Sequence, residues 1–586
     1  MARFYIENFG CRATQADGAA LERQFLERGL ERAGAARDAE IVVLNTCTVT
    51  EAADKDARAS IRRLQRVNPD CRILVTGCYA QRAPEELAAL PGVTWVVGNS
   101  HKHRAAEIAT SPSGGFVSLA QLAGAQRDTP PAAKQSAEKL GFVSGYRFSD
   151  TASRLKSDAP LGAEPRKSSF SASCKAALEN ELDIAALKRC ATQTQAAGDQ
   201  IPGEPPTTVI VGDIFAHTEL LAAPVFDAAN ERTRPNLKVQ DGCDNRCSFC
   251  VIPYVRGQSR SLASARVVAE VRTLAEAGYR EVVISGINLG RWGRDLEAVA
   301  GRWSLVVSGQ SPSSSRIFHS GHPDSNRERP TTNDQRLVGL IRAILDQTSL
   351  EKLRISSVEP MDWSDELIAL VASSPRIAKH AHVPMQSGSD AVLRRMHRKY
   401  RPWHYHEKIL KIRAAMPTAA IGADVMVAFP GETEAEFDET RRMVEELPFT
   451  YLHVFTYSAR PGTPAAELPG QVPVAVARER NRVLRELASS KKAAFMRSLV
   501  GTTVEAITLQ SGGTDFTEAL TDNYLKMKIP GHHEANRWIE AKVERMDGEM
   551  LVGAPEAYLP NLNQLVTQEC TPAKNRIDRQ PFAGLR

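Results

Sequence analysis

The sequence predicts an α/β protein in three parts: an N-terminal open parallel α/β domain, a central partial (β/α)6 barrel and a small C-terminal β-barrel. Three observations carry that prediction. Short apolar runs alternate with amphipathic stretches over 1–105 and again over 231–470. Two islands rich in Ser, Ala, Gly and Pro interrupt the alternation. From 499 onward the pattern changes to short segments divided by turn residues.

In the first part, "RFYIENF" (3–9), "IVVLNT" (41–46), "RILVTG" (72–77) and "TWVVGN" (94–99) read as strands. Helices are expected between them at 15–30, 50–66 and 84–90. Residues 106–230 read as a low-complexity insertion and linker, although 174–190 could form a helix. Barrel strands are expected at 236–240, 280–285, 352–357, 378–384, 419–427 and 450–455, with a surface insertion at about 300–334. A basic helix over 471–498 follows, carrying seven Lys/Arg against two Glu. Residues 499–565, with "TTVEAITL", "EALTDNYLKMKI" and "RWIEAKVERM", suggest the small barrel, and 566–586 a tail.

A hydrophobic content of 42% and a charged content of 24% suit a chain that buries substantial cores. The net charge of +5 is too weak a field over 586 residues to argue for a polyanionic partner. "MARFYIENFGCRATQ" lacks the apolar core of a signal peptide, and no apolar run approaches the roughly 18–20 residues of a membrane helix. The expectation is a cytoplasmic protein with no membrane partner. Its ten cysteines are then reduced, and clustered thiols read as metal ligands or reactive groups rather than disulfides.

Two groups of three cysteines stand out. Cys11, Cys47 and Cys78 each follow a predicted strand directly, in "NFGC", "LNTC" and "VTGC". Ligands gather at the carboxyl ends of strands in open α/β sheets, so three thiols far apart in sequence can converge there. Cys243, Cys247 and Cys250 form C-x3-C-x2-C after the first barrel strand, in "KVQDGCDNRCSFCVIPYVRG". A structural zinc site wants four ligands. Three thiolates around a 4Fe-4S cluster leave one iron open for a substrate amine and carboxylate, and such cofactors carry radical chemistry that side chains cannot. A zinc knuckle or redox sensor is the alternative. Cys71, Cys174, Cys190 and Cys570 fall outside both groups.

The cysteine loop resembles that of the radical S-adenosylmethionine (SAM) superfamily. Over roughly 1–105 and 230–560 the chain resembles its methylthiotransferase branch, which ends in a TRAM domain. The resemblance extends to "VVLNTCTVTEAADKDARASIRRLQRVNPD", "VTGCYAQ", "GYREVVISGINLGRWG", "RISSVEPMDW", "KHAHVPMQSGSDAVLRRMHRKY" and "ADVMVAFPGETEAEF". It is most similar to the subgroup that thiomethylates C2 of N6-threonylcarbamoyladenosine at position 37 of tRNA. Related branches act on isopentenyladenosine tRNA or on a ribosomal protein aspartate. A noncatalytic iron–sulfur RNA-binding protein is the reading from another class.

The resemblance implies two 4Fe-4S clusters. Cys243, Cys247 and Cys250 would hold the one that binds and reductively cleaves SAM, and Cys11, Cys47 and Cys78 the one that carries the inserted sulfur. It also implies an electron donor such as flavodoxin or ferredoxin, and a sulfur source. Ser285, Gly286 and Asn288 in "ISGIN" are expected at the methionine moiety of SAM. Ser356, Ser357 and Glu359 in "SSVEP" suit ribose hydroxyls or an amine, and His382, Gln386, Ser387 and Asp424 are expected to line the pocket. Thr433 should cap a helix. Thr14 stands where the family commonly has Asn, and Ala428 where it has Gly. For RNA, the basic helix and Tyr524, Lys526, Lys528 and Arg537 are the candidates.

Overall fold

The computed structural model describes residues 2–111, 207–217, 220, 234–296 and 335–558. The helix considered at 174–190, most of the 106–230 and 300–334 insertions, the tail, and Cys174, Cys190 and Cys570 lie outside them.

The N-terminal domain is one parallel sheet of β1 (Arg3–Asn8), β2 (Glu31–Arg32), β3 (Ile41–Thr46), β4 (Arg72–Gly77), β5 (Val93–Gly98) and β6 (Thr208–Ile210), in the order β2-β1-β3-β4-β5-β6. β3 is buried throughout: Val42 and Leu44 enter one core, Ile41 and Val43 the other. That double burial is why "IVVL" runs without polar alternation. Helices Arg12–Glu27 and Glu51–Val67 cover the sheet. β6 corrects the expected extent of the 106–230 linker, since Thr208, Val209 and Ile210 pair with Trp95, Val96 and Val97 of β5. The chain returns to complete the sheet after the insertion.

Six parallel strands form the barrel: β7 (Asn236–Asp241), β9 (Glu281–Gly286), β10 (Lys352–Ile355), β11 (His380–His382), β12 (Ala420–Val427) and β13 (Tyr451–Thr456). The short β8 (Arg260–Ser261) is antiparallel to β7. A Leu353–Ile377 bridge joins the β10 side to the β11 side. Successive residues of a strand face opposite ways. Leu237, Val239, Val282, Ile284, Leu353, Ile355, Ala381, Ile421, Ala423 and Val425 enter the core beneath the helices. That leaves Lys238, Gln240, Glu281, Ser285, Arg354, His380, His382, Asp424, Tyr451 and His453 on the inner face, with Val283 and Phe455 in the same alternation, so the lumen wall is mostly polar.

Helix Val474–Ser498 buries Ala477, Leu484, Ala488 and Met496. Much of its basic charge is already used. Arg480 is buried against Glu432 and Glu434 at 2.8 and 3.0 Å, Lys491 donates to the carbonyls of Glu445 and Leu447, and Lys492 pairs with Glu549. Arg478 and Arg485 stay exposed.

The last domain is a closed barrel of β14 (Thr503–Gly512), β15 (Phe516–Thr521), β16 (Lys526–Pro530), β17 (Trp538–Asp547) and β18 (Met550–Tyr558), in the order β14-β15-β16-β18-β17. Lys352–Glu505 (2.5 Å) and Arg354 donating to the Asp522 carbonyl (3.0 Å) seat it on the central barrel. Lys528 pairs with Asp547 on its surface. The Tyr524 ring, expected to meet RNA, packs against His380 and Tyr451.

Candidate active site

β1, β3 and β4 are neighbours in the first sheet, so the residues that follow them are delivered side by side. Cys47 and Cys78 are buried and Cys11 is exposed. Two glycines at positive φ make the close approach possible. A Cβ on Gly10 (φ +97) would lie 2.6 Å from Cys47 Cβ and 2.9 Å from its Sγ. One on Gly77 (φ +103) would lie 2.3 Å from the Thr46 carbonyl oxygen. Burial, then the neighbouring Cys78 and Cys11, push the Cys47 thiol up to about 12. Three thiols brought to one edge of the sheet, open on the Cys11 side, suit a metal cluster that takes up their charge.

Cys243, Cys247 and Cys250 occupy the loop after β7, which turns at Gly242 (φ +71); a Cβ there would sit 1.9 Å from the Gln258 carbonyl oxygen. Burial and then Cys247 raise the Cys250 thiol to about 12. Donors already face the other two sulfurs. The Asn245 backbone N–H and Asn288 Nδ2 lie 3.4 and 3.7 Å from Cys243 Sγ, and an Arg398 N–H lies 3.2 Å from Cys247 Sγ. Arg398 is buried, pairs with Glu359 and lies over the Tyr400 ring at 4.9 Å.

The two triads adjoin. Cys78 packs on Val251 and Val255, just beyond Cys250. Asn99 Nδ2 donates to the Val255 carbonyl at 2.7 Å and stands 3.5 Å from Cys78 Sγ. Next to this seam lies a buried charge network: Arg256 donates to Asp241 (3.0 Å) and Asp17 (3.1 Å), Lys102 to Asp17 (3.0 Å), and Lys238 to both carboxylates. Burial alone would raise Asp17, but Lys102, Lys238 and Arg256 outweigh it and hold the carboxyl at about 2. Three cations against two carboxylates leave one positive charge over, beside thiols that turn negative on binding metal. The Thr14 hydroxyl lies 3.5 Å from both Cys11 Sγ and Arg256, so the departure from Asn keeps a polar link between thiol and cation.

Of the expected SAM contacts, Asn288 reaches Cys243, and Glu359 reaches Cys247 through Arg398. Ser285 Oγ, Asn288 Oδ1, Ser356 Oγ, His382 Nε2 and Gln386 Oε1 are buried without a hydrogen-bond partner among the described residues. These atoms are available to hydrogen-bond a ligand. A Cβ on Gly286 would meet Gln240 Oε1 at 2.8 Å. Ser357 Oγ holds His382 Nδ1 at 2.6 Å, and Asp424 Oδ1 is 3.4 Å from His382 Nε2. Glu359 is bound to Arg398, and Gln386 sits at φ +64. Ser387 instead bonds Thr440 (3.0 Å), away from this cluster. Arg256, Arg398, Asp17, Lys102, Lys238 and Asn99 were missed. The two arginines do lie inside conspicuous stretches, "VIPYVRG" and "MHRKY".

Comparison with known proteins agrees with this geometry. Residues 3–98 match the Uncharacterized protein family UPF0004, and residues 237–444 match the Radical SAM superfamily. A threonylcarbamoyladenosine tRNA methylthiotransferase of Bacillus subtilis is 30% identical over 536 residues, covering 91% of each chain. The chain belongs to the radical SAM methylthiotransferase family. The enzyme of the same name from Aquifex aeolicus is 29% identical, over 92% of this chain and 99% of its own. A tRNA-2-methylthio-N(6)-dimethylallyladenosine synthase of Erythrobacter litoralis is 28% identical, over 87% of each. Family membership brings two 4Fe-4S clusters and SAM as cofactors, and the two triads and the unpartnered polar atoms fit both. Among the described residues, no helix is long and apolar enough to cross a membrane.

Proposed function

We propose that this methylthiotransferase acts on tRNA in the cytoplasm, adding a methylthio group to C2 of N6-threonylcarbamoyladenosine at position 37. Cys243, Cys247 and Cys250 hold the SAM-binding cluster, and Cys11, Cys47 and Cys78 hold the cluster that delivers sulfur. When bound, these groups supply one-electron reduction, hydrogen abstraction and a transferable sulfur, chemistry that no side chain offers. The chain's own part is placement. Ser285, Gly286, Asn288, Ser357 and Gln386 line the SAM site, where Ser285 Oγ, Asn288 Oδ1 and Gln386 Oε1 are free to bond it, and Asp424 is shared with the substituent pocket. Glu359 works through Arg398, which it holds against Cys247. Arg256 and its network fix the seam between the two triads. Electrons come from a carrier such as flavodoxin or ferredoxin, and a separate sulfur source reloads the enzyme.

One observation carries the choice of substrate: the polar inner wall of β11–β13. A dimethylallyl substituent wants apolar lining. His380, His382, Asp424, Tyr451 and His453 instead offer hydrogen-bonding partners to a threonylcarbamoyl group. Mass spectrometry of tRNA nucleosides from a deletion strain should show loss of the methylthio group from threonylcarbamoyladenosine alone. In vitro, Cys247→Ala should abolish 5′-deoxyadenosine formation, whereas Cys47→Ala should retain it and make no thiomethylated RNA. Thiomethylation by Cys47→Ala would refute the second assignment. Absence of 5′-deoxyadenosine from wild type carrying about eight irons would favour a noncatalytic RNA-binding protein.

A further inference from the structure

Arg12 directly follows Cys11 but leaves its own domain. Its guanidinium enters the barrel lumen and donates to the Tyr524 hydroxyl at 3.0 Å, 5.7 Å from the centre of that ring. Asn236 Nδ2 fixes its carbonyl at 2.8 Å. Each of the other lumen guanidiniums faces a carboxylate, Arg354 and Arg234 sharing Glu281. Arg354, 5.3 Å from the same ring, pairs with Glu281 and donates to the Thr521 and Asp522 carbonyls. Arg234 pairs with Glu281 and Arg398 with Glu359. Among the described residues no carboxylate pairs with half-buried Arg12, which spends one of its five N–H donors on a neutral hydroxyl. A partly desolvated guanidinium left in this state is suited to an anionic ligand, ideally a planar carboxylate that takes its fork.

Tyr524 is held in place at some cost. It sits at φ +70, a region that residues other than glycine seldom adopt. His380 and Tyr451 pack on its ring at 4.9 and 6.2 Å. Strain maintained by packing from separate elements is characteristic of ligand clamps. Above this pair, Tyr451, His453, His382 and Asp424 line the inner face, with Asp424 an acceptor open to a ligand N–H or O–H. Gly422, which pairs with Tyr451 across the sheet, leaves the room its ring fills: a Cβ there would lie 2.0 Å from Tyr451 Cζ.

We infer that Arg12, braced by the Tyr524 hydroxyl, forms a carboxylate subsite that reads the threonyl carboxylate of the substrate's N6 substituent. The inference rests on the proposed substrate and names how it is selected. A dimethylallyl group would leave the guanidinium unmatched, and a site built around a polar partner rejects analogues that lack it. Because Arg12 adjoins Cys11, the group that reads the substituent and a ligand of the sulfur-bearing cluster move as one backbone unit.

The test uses reconstituted full-length enzyme and two anticodon stem–loop RNAs, one with threonylcarbamoyladenosine and one with its methyl ester, which removes the negative charge and adds one methyl group. Wild type should lose about ten- to a hundredfold in kcat/KM on the ester, mainly through KM. Arg12→Gln should lose a similar factor on the acid and then treat acid and ester alike. Arg12→Lys, a point charge without the fork, should keep several-fold discrimination, and it carries the test if Arg12→Gln fails to load iron. A purely structural role for Arg12 would lower both rates and leave their ratio unchanged, overturning the subsite. Equal wild-type rates on acid and ester would overturn the subsite alone. Wild-type activity on isopentenyladenosine RNA but on neither of these would overturn the proposed substrate as well.

Discussion

Asp17→Asn separates the buried charge network from everything else at the site. The substitution keeps the side chain's shape but leaves Lys102, Lys238 and Arg256 facing Asp241 alone. Removing one partner of a buried pair costs about 3–5 kcal/mol, because the cations stay desolvated without compensation. The pH dependence has a definite sign. Asp17 titrates at about 2 in the fold against 3.8 for an ordinary aspartate, so its stabilisation is present above about pH 4 and is lost as pH falls toward 2. Between pH 7 and pH 3 that loss amounts to about 1 kcal/mol. Urea unfolding of both full-length proteins, followed by tryptophan fluorescence, should show wild type ahead by several kcal/mol at pH 7 and by about 1 kcal/mol less at pH 3. A difference below about 1 kcal/mol at pH 7, or one that does not narrow in acid, would refute the claim that Asp17 holds the network together.

Other perturbations have equally definite outcomes. Gly77→Ala places a Cβ 2.3 Å from the Thr46 carbonyl oxygen at the turn that aims Cys78. Reconstituted iron should fall from about eight to about four per chain, and an unchanged iron count would show that the turn tolerates a side chain. Ala428 sits at φ +61, so Ala428→Gly should raise the thermal midpoint slightly, by about 0.5–1 kcal/mol of stability, and a lower midpoint would contradict the strain. Arg398→Gln removes the buried donor to Cys247 Sγ, and an EPR-monitored titration should find the SAM-binding cluster harder to reduce by tens of millivolts, on the order expected for one lost hydrogen bond and charge. An unchanged potential would leave Arg398 a purely structural role with Glu359.

Local signals in the sequence translated directly into structure. "IVVLNT" is the buried central strand it reads as. Thr433 closes a capping box, accepting from the Glu436 N–H while the Glu436 carboxylate takes its own N–H. Six thiols stand at strand ends and in one tight loop because a cysteine directly after a strand is positioned by that strand alone. What the sequence concealed depends on pairing between distant elements. β6 is three residues long, too short to show a period, and its partner β5 lies across the whole insertion. Asp17 and Lys238 are 221 residues apart, and each looks like an ordinary surface charge until the helix Arg12–Glu27 is laid along β7. The basic helix reads as an RNA face because its sequence does not show that Glu432 and Glu434 of the neighbouring turn claim Arg480.

The same reasoning explains why only part of the lumen wall, Ser285, His382 and Asp424, was legible in the sequence and why the wall decides function. Alternation along β7, β9, β10, β11, β12 and β13 identifies the core-facing residues, and in an ordinary half-buried strand the remainder would face water. In a parallel barrel the remainder faces an enclosed space, where a polar side chain is desolvated and needs a partner. The His380–His382, Asp424 and Tyr451–His453 positions are therefore not leftovers of an amphipathic pattern. They are a polar wall in a place where polarity is costly, and Arg12 and Tyr524 enter the same space from two other domains. Three domains converging on one lumen tie substrate reading to the N-terminal triad and to the C-terminal barrel. Substituting the wall with apolar residues should thus stabilise the apo protein while removing its discrimination between acid and ester substrates.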